Sequence, residues 1–149
     1  MPYFTRQVAP NGNLIVNAFI GVSQAKRAAL VAAGEPVPNP VSIQGLIDTG
    51  ANCLCVDPSV LQQLNLTPTG SGPVTTPTTG ALPATADQYD VSIVIPSSPT
   101  TAPLVQQTIA AISAELLVAQ GFHAIIGLSV LQQCLITYDG KNGIFSIAF

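Results

Sequence analysis

The spacing of apolar and polar positions marks most of this chain as strand. Leu14 to Val22 is nearly continuous in apolar and β-branched residues and follows a turn signal at Pro10-Asn11-Gly12-Asn13. Thr5 to Val8, on the other side of that turn, is expected to be its hairpin partner. Val41 to Ile47 alternates and delivers Asp48 at its end, and Cys53 to Val56 leaves the next turn as a short strand. Val91 to Ile95 reads as a buried strand. Leu104 to Ile112 suits strand or helix, and Pro103 with the β-branched residues favours strand. Ile136 to Tyr138 and Ile144 to Phe149 flank the turn Asp139-Gly140-Lys141-Asn142-Gly143 and make a hairpin. The last strand ends on apolar residues, so a bare edge there invites pairing with another chain.

Helices occupy the remaining patterned segments. Ser23 caps an Ala-rich helix over Gln24 to Ala33, which Gly34 ends and Pro36 and Pro38 keep from continuing; it reads as an insertion between strands. Asp57-Pro58 is a cap followed by proline at the first helical position, so Ser59 to Leu64 forms a short helix. Ser113 to Gln120 has room for one or two helical turns before Gly121, and Ser129 to Gln133 makes another short helix. From Thr67 to Thr85 the composition turns to Thr, Pro and Gly, including Pro77, Gly70, Gly72 and Gly80, as expected of a projecting loop or hairpin. Two half-units repeat a strand, a glycine turn and a helix: Leu46-Ile47-Asp48-Thr49-Gly50 with the Asp57 helix, and Ala124-Ile125-Ile126-Gly127 with the Ser129 helix. Only the first carries an acid.

Composition narrows the class. The 149 residues are 48% hydrophobic, enough for one domain, residues 1–149, with a substantial core. Only 7% are charged, and the four basic residues (Arg6, Lys26, Arg27, Lys141) provide no patch for a phosphate backbone, which excludes nucleic acid as an expected partner. Cys53, Cys55 and Cys134 with the lone His123 form no metal array, so neither metal nor cofactor is expected. Cys53 and Cys55 share one face of a strand, where small thiols serve as core filler. The odd cysteine count fits a reducing compartment. With no basic-then-apolar leader and no apolar run near the roughly 18 residues of a membrane span, the expectation is a cytoplasmic protein without a membrane partner.

The chemistry-bearing feature is Asp48-Thr49-Gly50, a carboxylate held between an apolar run and a tight turn. A carboxylate there is costly unless hydrogen-bonded. The triplet occurs once. Chemistry that needs two carboxylates must therefore take the second from another copy of the chain. Asp57, Asp87 and Asp90 have local explanations as a cap and strand-edge residues, Asp139 as a hairpin-turn residue, and His123 as a satisfied surface histidine.

The chain resembles the retropepsin-like aspartic proteases, the single-domain group with retroviral and bacterial members. Asp48-Thr49-Gly50-Ala51, preceded by Leu46-Ile47, is similar to their catalytic motif. Ile125-Ile126-Gly127, followed by Val130-Leu131, is similar to their second signature, about eighty residues on. The resemblance implies an all-β, mainly antiparallel, closed acid-protease barrel with one or two short helices. It implies an aspartic endopeptidase acting on an extended polypeptide as a homodimer, with Asp48 meeting its symmetry mate across a shared water. Thr49 then locks the two turns together, and Gly50 and Ala51 complete the turn. Gly127 permits tight packing beneath it. The flap corresponds by order to Gly72, Pro73, Val74, Thr75 and Thr76.

Two departures stand out. Asn52 replaces an Asp common in the family, and Leu128 stands where retroviral members usually carry an Arg that supports the dimer, which shifts dimerisation toward apolar packing. Tyr3, Phe4 and Ile147-Ala148-Phe149 are expected dimer contacts, because family members interleave their termini. The competing readings are a homodimeric peptide-binding or assembly module of the same fold without hydrolysis, and a monomeric precursor activated by fusion or processing.

Overall fold

In a computed structural model of the chain, residues 1–76, 82–115 and 118–149 are described. The expected strands form as β1 (Tyr3–Gln7), β2 (Ile15–Val22), β3 (Val41–Ile47), β4 (Leu54–Val56), β5 (Gly70–Val74), β6 (Ala84–Ile95), β7 (Leu104–Ser113), β8 (Ala124–Ile126), β9 (Leu135–Asp139) and β10 (Ile144–Ala148). Among the described residues three α-helices join them: α1 (Gln24–Ala33), α2 (Pro58–Gln63) and α3 (Leu128–Leu131). A 3-10 turn at Val118–Gln120 stands within the segment expected to hold one or two helical turns.

Six strands pair in the cycle β2-β3-β8-β4-β7-β6 and back to β2, closing a mixed barrel, and β5 hangs from the outer edge of β6. The pairs β3–β8 and β4–β7 are parallel and the other barrel pairs antiparallel. Closure removes the unpaired strand edges that an open sheet would expose. Ala18, Ile20, Ile43, Leu54, Val56, Val91, Ile93, Ile95 and Ile126 fill the interior at 2% exposure or less. These are the inward positions of the alternation read in the sequence, and β-branched side chains pack well on a pleated surface.

The expected hairpin between Thr5–Val8 and the β2 strand does not form. β1 instead pairs with β10, Phe4 opposite Ile147, in a separate three-stranded sheet ordered β1-β10-β9. The turn at residues 10–13 closes with Gly12 N–H to Ala9 O at 2.8 Å, but redirects the chain instead of returning it along itself. The pairing chosen buries Phe4 against Phe145 and Ile147 in the common core, which a β1–β2 hairpin would forgo. β10 is consequently the central strand and not a bare edge; the edges are β1 and β9. Phe4 and Ile147, expected at a dimer contact, are 5% and 1% exposed within their own chain, while Tyr3 is 64% exposed.

α1 forms where expected. The Ser23 hydroxyl accepts from the Lys26 amide at 3.3 Å, and Gly34 ends the helix at φ 69°, a left-handed conformation that glycine enters without a Cβ penalty. None of its side chains is buried. In α2, Asp57 Oδ1 accepts from the Ser59 amide at 2.9 Å and the Ser59 hydroxyl at 2.6 Å, with Pro58 in the first turn.

Within the Thr67–Thr85 segment β5 pairs antiparallel with the start of β6, Gly72 opposite Ala86 and Pro73 opposite Thr85. β5 is an edge strand, where the missing amide of Pro73 leaves no ladder bond broken toward a further neighbour. Gly72, Pro73 and Val74 lie in β5 and Thr75 and Thr76 follow it. Pro77 and Gly80 lie outside the described residues.

Candidate functional site

β3 ends at Ile47 and releases the chain into the turn that holds Asp48. Asp48 Oδ1 accepts from the Gly50 amide at 2.8 Å, and the Ala51 amide closes on the Asp48 carbonyl at 3.3 Å. This turn bond partly answers the cost of placing a carboxylate beside the core. Oδ2 has no hydrogen-bond partner among the described residues. Asp48 is half-buried, and Thr49 and Gly50 are exposed.

The second signature lies directly against this turn. β8 runs parallel to β3 with Ile125 opposite Leu46 and Ile126 opposite Ile47, and the Asp48 amide donates to the Ile126 carbonyl at 3.1 Å. The chain then turns at Gly127 into α3. The Leu128 amide donates to the Ala51 carbonyl at 2.8 Å and the Ser129 amide to the Asn52 carbonyl at 3.0 Å. A Cβ on Gly127 would stand 2.6 Å from the Ala51 oxygen and still closer to the Cys53 oxygen. Both obstacles are backbone, so only glycine lets the two turns approach this closely.

The two half-units are thus brought together: Asp48, Gly50 and Ala51 on one side, Ile125, Ile126 and Gly127 on the other. Of the residues expected at the flap, Gly72, Pro73 and Val74 lie in β5 and Thr75 and Thr76 follow it, outside this contact between the half-units. Sequence reasoning missed that the carbonyls of Ala51 and Asn52 hold the second half-unit. Backbone acceptors leave no side-chain signature; the sole clue was Gly127, whose need for close approach was legible but not its partners.

The thiols depart from expectation. Leu54 and Val56 point into the core with no exposure, which leaves Cys55 on the opposite face of β4, with Cys53 in the bend just before the strand; both are half-buried and outside the core cluster. They are not core filler. Their Sγ atoms lie 3.9 Å apart. Burial, the neighbouring Cys53 thiol through charge and hydrogen bond, and the charge of Asp48 together push Cys55 up to about 12.

The remaining candidates have structural roles. Burial would raise the Asp57 carboxyl, but hydrogen bonds from the Ser59 hydroxyl and amide and the Val118 amide, with the charge of His123, hold it below its ordinary value. His123 is half-buried; its Nδ1 accepts from the Gln44 amide at 3.2 Å, and its amide and carbonyl bind Gln44 and Asp57. Asp139 accepts from the amide and side chain of Asn142, as a hairpin-turn residue should. Among the described residues no three His, Cys, Asp or Glu side chains group to hold a metal ion, and no helix is long and apolar enough to cross a membrane.

A closed six-stranded mixed barrel with a few short helices, its parallel pair β3–β8 carrying two turns braced against each other, has the fold of the retropepsin-like acid proteases. Among solved structures, a retropepsin-like aspartic protease from Rickettsia conorii superposes with a TM-score of 0.62 at 16% sequence identity, covering 97% of this chain and 89% of that one. Identity at this level shows the shared fold. No protein-family model and no curated protein matches the chain.

Proposed function

We propose that the chain is an aspartic endopeptidase that works as a homodimer, with Asp48 from each copy sharing one water. The observation that carries this reading is the Asp48 turn itself: a carboxylate aimed out of a barrel strand, with one oxygen bound to the Gly50 amide and the other without a protein partner among the described residues.

Two carboxylates a few Å apart cannot both ionise, so the pair shares one proton. The ionised member takes a proton from water as it attacks the peptide carbonyl, and the protonated member donates to the carbonyl oxygen. The titration belongs to the pair and not to either residue. The substrate is an extended polypeptide lying between the Asp48 turns and the β5–β6 pair and recognised through its backbone, with side chains in alternate pockets.

Exposed apolar groups, one beside the same turn and two on the three-stranded sheet, support self-association. Leu128 is 41% exposed immediately after Gly127, and Tyr3 and Leu135, in register across Ala148, are 64% and 63% exposed. The Thr49 hydroxyl has no partner among the described residues, which suits a contact made by a second copy.

The test combines sedimentation with hydrolysis of a mixed peptide library. Wild-type cleavage should fall more steeply than protein concentration once the dimer dissociates. Asp48→Asn should abolish cleavage and retain the dimer. Undiminished cleavage by Asp48→Asn, or full turnover by a strictly monomeric sample, defeats the proposal. Peptide binding by the wild type without turnover would favour the non-hydrolytic module.

A further inference from the structure

Cys53 and Cys55 have no part in that chemistry, yet β4 and the bend before it bring both thiols within 3.9 Å of each other outside the core, a few residues beyond the Asp48 turn. We propose that Cys53 and Cys55 form a two-thiolate chelate for a thiophilic divalent ion of the zinc and cadmium class.

The distance selects this reading over an oxidative one. Two zinc–sulfur bonds of about 2.3 Å at a tetrahedral angle separate the sulfurs by about 3.8 Å. The observed 3.9 Å already matches that bite. A disulfide requires about 2.05 Å between the sulfurs, well short of the observed spacing. Cys55 has little freedom to move toward Cys53, because it is paired with Ile112 of β7 on one side and with Ile125 of β8 on the other.

Both thiols are partly open to solvent, so an ion can reach them. Two thiol protons leave to solvent as two sulfur–metal bonds form, and water completes the coordination. The thiols share a hydrogen bond, and a divalent ion bound in its place would bring a positive charge that the nearby Asp48 carboxylate favours. Binding is accordingly coupled to pH and weakens in acid.

An occupied chelate would set a cation beside the carboxylate assigned to water activation and halt turnover. This consequence rests on the protease reading; the chelate itself does not.

Cadmium is the probe, titrated into the full chain with a thiol-free reductant and followed by the ultraviolet thiolate-to-cadmium charge-transfer band and by proton release in weak buffer. The band should saturate at one ion per chain with about two protons released per ion. It should be lost in Cys53→Ser and in Cys55→Ser, variants outside the core whose folding is checked by circular dichroism. It should persist in Cys134→Ser and in Asp48→Asn, the latter separating chelation from hydrolysis. A band that survives Cys53→Ser or Cys55→Ser, disappears with Cys134→Ser or Asp48→Asn, or never forms overturns the assignment.

Discussion

Replacing Gly127 with alanine tests the brace between the two half-units. The backbone there is extended (φ −95°, ψ −169°), so alanine meets no intrinsic conformational strain and the entire penalty is steric. Its Cβ would press on the Ala51 oxygen at 2.6 Å and more closely on that of Cys53. Forcing a methyl into packed surroundings costs about 1–3 kcal/mol. Separating the turns also stretches the bonds from Leu128 to Ala51 and from Ser129 to Asn52, each worth about 1 kcal/mol. The sum, about 3–5 kcal/mol, corresponds to a melting temperature lowered by roughly 6–20 °C in a domain of this size. The control is Gly21→Ala, where the nearest atom is the Ser92 hydroxyl at 2.8 Å, the free end of a side chain that can rotate away. Urea unfolding followed by far-ultraviolet circular dichroism measures both, and hydrogen exchange at Leu128 and Ser129 locates the damage. A Gly127→Ala variant within about 1 kcal/mol of Gly21→Ala would falsify the brace, since overpacking at that site should cost at least that much.

Asp57→Ala should destabilise the chain by about 1 kcal/mol near neutrality by uncapping α2. The folded carboxyl is held below its ordinary value, so its contribution is present above about pH 4, the unfolded value, and is lost as the pH falls through the folded one. The urea midpoints of wild type and variant should converge in acid, and a constant gap would contradict this. Ser23→Ala should speed hydrogen exchange in α1 while moving the global unfolding midpoint little, because that helix buries none of its side chains; a loss of global stability equal to a core truncation would show that α1 is integral to the barrel. If the dimer uses the apolar surface beside Gly127, Leu128→Asp should weaken self-association by about 1 kcal/mol, roughly fivefold in Kd by sedimentation, and an unchanged Kd would move the interface elsewhere.

Local patterns exposed most of the elements, since strand alternation, the Ser23 and Asp57 caps and the Asp139 turn each depend on neighbours within a few residues. The partner of β1 was not legible, because Thr5–Val8 next to a turn signal is compatible with a hairpin and only the burial of Phe4 with Phe145 and Ile147, residues from the far end of the chain, decides for β10. The face of Cys53 and Cys55 failed for a related reason. Period-two alternation says that they share a side, but Leu54 and Val56 compete for the core and, being larger and more apolar, win it. At the site, the Asp48 turn and Gly127 were legible as residue types demanding special surroundings. Their mutual contact was not, because it runs through the carbonyls of Ala51 and Asn52, which any residue supplies.

That contact also explains why only one of the two half-unit turns carries an acid. Ile47 lies opposite Ile126, so the residue that continues the second half-unit where Asp48 continues the first is Gly127. The pseudo-symmetry of the fold therefore offers a second carboxylate only one position, and there even a Cβ collides with two backbone oxygens. Moving the acid outward by one residue to Leu128 places it on the exposed start of α3, beyond the turn instead of across from Asp48. The packing that holds the Asp48 turn in place is thus the same packing that excludes its counterpart from the chain. On the proposed protease reading, the carboxylate dyad is therefore assembled between two copies, each contributing its own Asp48 turn and each stiffened by its own Gly127.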